Sequence, residues 1–192
     1  MVVLFQHQHI TSINIVIKAI ARSHSRDSVE KAEALLEKLE RDYESGRSTL
    51  RPDVPTYSSV INCCAYYRYA EGKAYALETA LRTFRKVCDS DDEPNNITYG
   101  TILKAVSNLM TESREREQLV RQIFDQCRSA GFVDGFVLTQ VRGASLALFN
   151  ELRNKYGDVG KEQRYKYGGA AKDGLNRMLR KMPMHWSENV IL

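Results

Sequence analysis

Apolar residues recur at helical spacing in six places along the chain, in two alternating registers. One register gives Ile13, Val16, Ile17, Ile20, then Tyr57, Val60, Ile61, Cys64, then Tyr99, Ile102, Leu103, Val106. The other gives Ala32, Leu35, Leu36, Leu39, then Leu77, Ala80, Leu81, Phe84, then Val120, Ile123, Phe124, Cys127. Positions i, i+3, i+4 and i+7 form one stripe of an amphipathic helix, so each set predicts a helix with one buried face. The predicted helices span Ser12–Arg22, Ser28–Tyr43, Thr56–Tyr69, Ala74–Val87, Thr98–Leu109 and Arg114–Ser129.

The first helices start at Ser12, Thr56 and Thr98, and the offsets of the second helices nearly match theirs. The unit is therefore a helix pair used three times. One amphipathic pair cannot bury its own stripe, whereas stacked pairs bury a continuous core. Ala19, Cys63 and Ala105 share one register beside the first stripe, and small side chains there let a neighbouring helix approach closely. The breaks fit: Ser28 suits a helix start, Gly46 and Gly131 suit helix ends, and Pro52 and Pro94 stop continuation. The expected fold is all-α, a right-handed superhelical α-solenoid of about three helix pairs with a C-terminal helical extension.

Expected boundaries follow from the same pattern. Residues 10–134 form the array, divided at about 10–53, 54–95 and 96–134, and residues 135–152 form two short capping helices. Residues 153–169 read as a linker in which basic residues alternate with Tyr156, Tyr165 and Tyr167 among glycines. Residues 170–192 hold a last amphipathic helix built on Leu175, Met178, Leu179 and Met182, which Pro183 stops, followed by a tail whose Trp186 docks on the body.

Composition narrows the function less. The net charge of +4 permits a nucleic-acid partner without requiring one. No apolar run approaches the length of a membrane span, so no membrane partner is expected. Cys63, Cys64, Cys88 and Cys127 form no C-x-x-C and read as small core residues. His7, His9, His24 and His185 cluster with neither cysteines nor carboxylates, and the Asp89–Glu93 run lacks the spaced ligands and glycine of a calcium loop. No metal, cofactor or small-molecule substrate is expected. Neither a phosphate loop, a deaminase motif nor a nucleophile elbow is present, which argues against an enzyme. Met1–Ile10 carries no charged residue, so no targeting segment is visible, and the chain reads as a truncated product or an incomplete gene.

The stretch Arg51-Pro52-Asp53-Val54-Pro55-Thr56-Tyr57, continuing to Ala65, resembles the pentatricopeptide repeat, as does Pro94-Asn95-Asn96-Ile97-Thr98-Tyr99. The longer period and the Met182-Pro183 to Trp186-Ser187, Asn189-Val190 ending are similar to algal and diatom variants. In such proteins one repeat reads one base of single-stranded RNA. The resemblance implies the base-reading residues Asn14 with Asp53, Ser58 with Asn95, and Gly100 with Asp134. It implies uracil for the first pair and adenine for the second, hence a 5′-UA-3′ core. Ile10 or Thr11, Val54 or Pro55, and Asn96 or Ile97 would wedge between bases. Lys18, Arg22, Arg68, Lys73 and Lys104 are the expected phosphate contacts. The implied setting is organellar RNA processing, stability or translation, in a mitochondrion or plastid. The alternative is a protein-binding scaffold of the tetratricopeptide kind, or a structural subunit of a ribonucleoprotein.

Overall fold

A computed structural model describes residues 2–157 and 169–190, with side chains described for 10–157 and 174–190. Among the described residues there are nine α-helices and no strand. In order they are α1 (Val2–Ser23), α2 (Ser28–Glu44), α3 (Val54–Ala65), α4 (Lys73–Cys88), α5 (Asn96–Leu109), α6 (Arg114–Ser129), α7 (Gly135–Ala144), α8 (Leu146–Tyr156) and α9 (Gly169–Lys181). No described helix is long and apolar enough to cross a membrane. The chain divides into two compact units, Met1–Pro94 with Asn108–Met110, and Asn95–Ser107 with Thr111–Leu192.

In the first unit, α3 packs against α1, α2 and α4. Its residues are buried on nearly every side, including Val60 and Ile61. Such all-round burial needs small residues, and Ser59, Cys63, Cys64 and Ala65 supply them. Gly46 ends α2 in the left-handed conformation, at φ +70°, and its N–H donates to the Tyr43 carbonyl at 3.0 Å. Pro52 and Pro94 are buried, and no helix crosses either.

A polar network ties α2 to α4 across this core. The buried Glu33 carboxylate accepts from the Tyr75 hydroxyl and Arg82, and from Thr79 Oγ1 at 3.5 Å. Burial raises its pKa, but the hydrogen bonds from Tyr75 and Arg82 outweigh that and leave it below its ordinary value. Further along the same two helices Lys86 pairs with Glu40 at 2.6 Å. The acidic loop after α4 is anchored, since Arg51 Nη2 lies 2.9 Å from Asp92.

In the second unit the core gathers Tyr99, Ile102, Leu103 and Val106 of α5 with the predicted stripe of α6 and with Val137, Leu138 and Val141 of α7. Gly131, at φ +72°, closes α6 in a Schellman turn. Its N–H meets the Arg128 carbonyl, and the Phe132 N–H meets the Cys127 carbonyl. Arg116 is 7% exposed and donates from Nε to the Ala144 carbonyl and from Nη2 to the Gly143 carbonyl, both at 3.0 Å. It thereby satisfies carbonyls at the end of α7 that the helix leaves unpaired. Trp186 docks as expected: it lies edge-on to Phe124 at 5.9 Å and beneath Arg128 at 5.3 Å, and its carbonyl accepts from the Val133 N–H.

Several expectations need correction. The buried face of α1 is Ile10, Asn14, Ile17 and Ala21, rotated from the predicted stripe, and Val16 is 49% exposed. Helix α3 ends at Ala65 rather than Tyr69. Beyond it Tyr67 lies against Gly72, where an added Cβ would meet the Tyr67 hydroxyl, and the Tyr69 hydroxyl donates to the His24 carbonyl. Cys88 is exposed, while the other three cysteines are buried and free. Most of the Tyr-rich basic linker, and the side chains of His7 and His9, lie outside the described residues.

Candidate nucleic-acid interface

The residues at the predicted repeat ends are helix N-caps. Asp53 adopts an extended backbone before α3, and its Oδ1 accepts from the Thr56 N–H at 2.8 Å and from Thr56 Oγ1 at 2.5 Å. The Asp53 N–H donates back to Thr56 Oγ1 at 3.3 Å, completing a reciprocal capping box. Asn95 does the same for α5: its Oδ1 accepts from the Thr98 N–H at 3.0 Å and from Thr98 Oγ1 at 3.2 Å. Asp134 caps α7 by accepting from the Val137 N–H at 2.7 Å. An unpaired first-turn N–H needs such an acceptor, so these residues are fixed in place by local chain chemistry.

The fold brings Asn14 to Asp53 across a sequence separation of 39 residues. Asn14 Nδ2 donates to Asp53 Oδ1 at 3.3 Å. Asn14 is 6% exposed, and among the described residues its Oδ1 has no hydrogen-bond partner. A buried carbonyl without a donor is unfavourable by about 1–3 kcal/mol, and buried polar atoms are seldom left so. The amide thus holds one edge against a carboxylate and keeps a bare acceptor beside it.

The corresponding place in the second unit is built differently. Gly100 is buried, and a Cβ added to it would lie 2.1 Å from Cε1 of Phe136. The glycine itself offers a ligand no polar side-chain edge, and the Phe136 ring lies over its backbone. Asp134 meets Asn96 instead, whose Nδ2 donates to Asp134 Oδ2 at 2.7 Å. Asn96 sits one helical turn before Gly100, so an amide meets the capping carboxylate from a different position. Ser58 is buried, and Asn95 is half-buried with its side-chain oxygen engaged by Thr98.

The expected phosphate contacts are scattered in character. Lys18 and Arg22 are exposed on α1. Arg68 is exposed but lies 3.0 Å from His24 Nε2. Lys73 donates to the Asn108 carbonyl at 3.2 Å, and Lys104 is half-buried on α5. Of the expected wedge residues, Ile10 is buried and Ile97 is 50% exposed.

Sequence reading missed the capping role of Asp53, Asn95 and Asp134. An Asp-x-x-Thr or Asn-x-x-Thr spacing before an apolar stripe carried that signal for the first two. It also missed the Asn96–Asp134 bond, which no local spacing reveals. Among the described residues no cluster of three or more His, Cys, Asp or Glu could hold a metal ion. No protein-family model, curated protein or solved structure matches the chain.

Proposed function

We infer that the protein binds single-stranded RNA through its helix pairs, arranged as a right-handed α-solenoid, and acts in organellar RNA metabolism. The observation that carries this reading is the Asn14–Asp53 pair with its unpartnered Asn14 Oδ1. Turned outward from its buried position, an amide that accepts and donates side by side would complement a base edge such as the imino and carbonyl groups of uracil. A neighbouring carboxylate that only accepts orients it. The pentatricopeptide-like text supports the reading, because it places this pair where such repeats read a base. The net charge of +4 and the exposed Lys18 and Arg22 support an anionic partner.

Few reading positions mean weak binding. Stacking is worth about 1–3 kcal/mol per base, so three bases give roughly millimolar to micromolar affinity. The test is fluorescence anisotropy with labelled single strands and a matched duplex at two salt concentrations. Single strands should bind better, binding should fall as salt rises, and Asn14→Leu should weaken it. Equal binding of duplex, or a variant indistinguishable from the parent, overturns the reading. One observation also favours protein binding: the outer face of α1 exposes Ile15 and Val16.

A further inference from the structure

The first helices of the three pairs share a register, and one face of it is treated in two ways. In α3 the register places Val60 and Cys63, which are 0% and 1% exposed; in α5 it places Ile102 and Ala105, both 0% exposed. The same register in α1 places Val16 and Ala19. Val16 is 49% exposed, Ala19 is exposed, and Ile15 beside them is 60% exposed. Contiguous exposed apolar surface is one mark of an interaction site, and here two neighbouring large apolar side chains share it with a small residue.

Within the first unit the chain shows what covers this face. Helix α3 packs against α1 and α2, and Cys63 Sγ donates to the Ser28 carbonyl in the first turn of α2. The covering helix α2 is amphipathic: it buries Ala32 and Leu36 and carries Glu30, Glu33, Glu37 and Glu40. On α1, Lys18 and Arg22 line the shallow groove that holds Ile15 and Ala19. Among the described residues neither cation is ion-paired, and α1 contains no Asp or Glu. Two copies packed α1 against α1 would oppose these cations with no carboxylate between them, so the charge pattern disfavours self-pairing.

We propose that the outer face of α1 is a docking site for an acidic amphipathic helix of a partner protein, seated on it as α2 is seated on α3. The small Ala19 lets the incoming backbone approach, Ile15 and Val16 supply the apolar contact, and Lys18 and Arg22 meet carboxylates on the rim. This site shares Lys18 and Arg22 with the RNA reading, but not Asn14 and Asp53, the pair that carries that reading.

The experiment uses the full chain and a fluorescent, stapled peptide with the sequence Ser28–Glu44, the segment that lies against α3 within the chain. A scrambled peptide of the same composition is the control. The native peptide should bind saturably and the scrambled one should not. Val16→Asp should weaken binding by about tenfold, because it sets a charge in an apolar contact. Paired Lys18→Glu and Arg22→Glu should weaken it by roughly threefold, an effect that shrinks as salt rises. Val16 is half-exposed, so the variant should keep the parent melting curve; if it does not, Ile15→Asp replaces it. Equal binding of both peptides, no saturable binding at millimolar concentration, or a Val16→Asp variant that binds like the parent overturns the proposal. A parent dimer in sedimentation that Val16→Asp dissociates assigns the face to a second copy. Loss of single-stranded RNA binding in the same variant assigns it to RNA, and either result overturns a helical partner.

Discussion

The first helices of the two units reach their capping aspartates by different routes. In the first unit, Asn14 lies at the middle of α1, donates to Asp53, and leaves its own carbonyl bare in a buried setting. In the second, the equivalent residue is Gly100. The Phe136 ring covers its backbone, and the amide comes from Asn96 in the first turn of α5. Both places keep a carboxylate that caps a helix, but among the described residues only the first keeps a buried unanswered polar atom beside it. The difference separates a junction that is closed by its own residues from one that is not. It also concentrates any ligand chemistry of this kind at Asn14.

The contrast is most directly broken at the caps. Asp53→Ala removes the acceptor of the first turn of α3 and also strands the Asn14 amide. It should destabilise by about 2–3 kcal/mol, combining a lost cap with a buried donor left unpaired. Asp134→Ala removes a cap, but Asn96 is only half-buried, so the expected loss is about 1 kcal/mol. Urea unfolding of both variants measures the pair. Equal losses would show that Asn14 gains nothing from Asp53.

A smaller effect should follow from placing an amide where the second unit lacks one. Gly100→Asn forces the Phe136 ring aside and should cost about 1–2 kcal/mol by thermal melting. Adding Phe136→Ala should recover part of that loss, since the obstacle is the ring. If the double variant is less stable than the sum of its single changes, the ring and the glycine are not in conflict.

The smallest expected difference is in alkaline titration of the first unit. Burial, reinforced by Glu40, raises the Tyr57 phenol from its ordinary 10.0 to about 12. A raised pKa favours the neutral phenol in the folded state. That stability is complete below pH 10 and is lost as pH rises towards 12. Tyr57→Phe should therefore give a shallower decline over this interval. Identical slopes in parent and variant would place the alkaline loss in other groups.

The third helix pair was most legible, since Val120, Ile123, Phe124 and Cys127 of its second stripe are all buried as the spacing required, whereas Leu35 of α2 and Leu77 and Leu81 of α4 are only half-buried. Pro52 and Pro94 likewise mark breaks by simple chain chemistry. Helix α1 misled for a physical reason. It is apolar on several sides, and its true inner face includes a polar residue, Asn14, which a count of apolar positions penalises. Residue identity at 53, 95 and 134 was readable, but capping and ligand recognition favour the same polar side chains, so spacing alone did not separate them. The cover of Gly100 by Phe136 lies between segments with no shared local pattern and emerges only from packing.

The capping box at Asp53 also restricts which substitutions this position tolerates. Only short side chains with an acceptor on the γ or δ atom serve a first-turn N–H well, in practice Asp, Asn, Ser and Thr. Any recognition carried by position 53 must therefore be written in a four-letter alphabet chosen by helix chemistry rather than by the ligand. Within that alphabet Asp→Asn keeps an acceptor for Thr56 but exchanges a charge for a donor beside Asn14, so specificity can drift at little cost to folding. Outside it, every exchange is taxed by the start of α3, and an engineer seeking new selectivity would vary position 14 first.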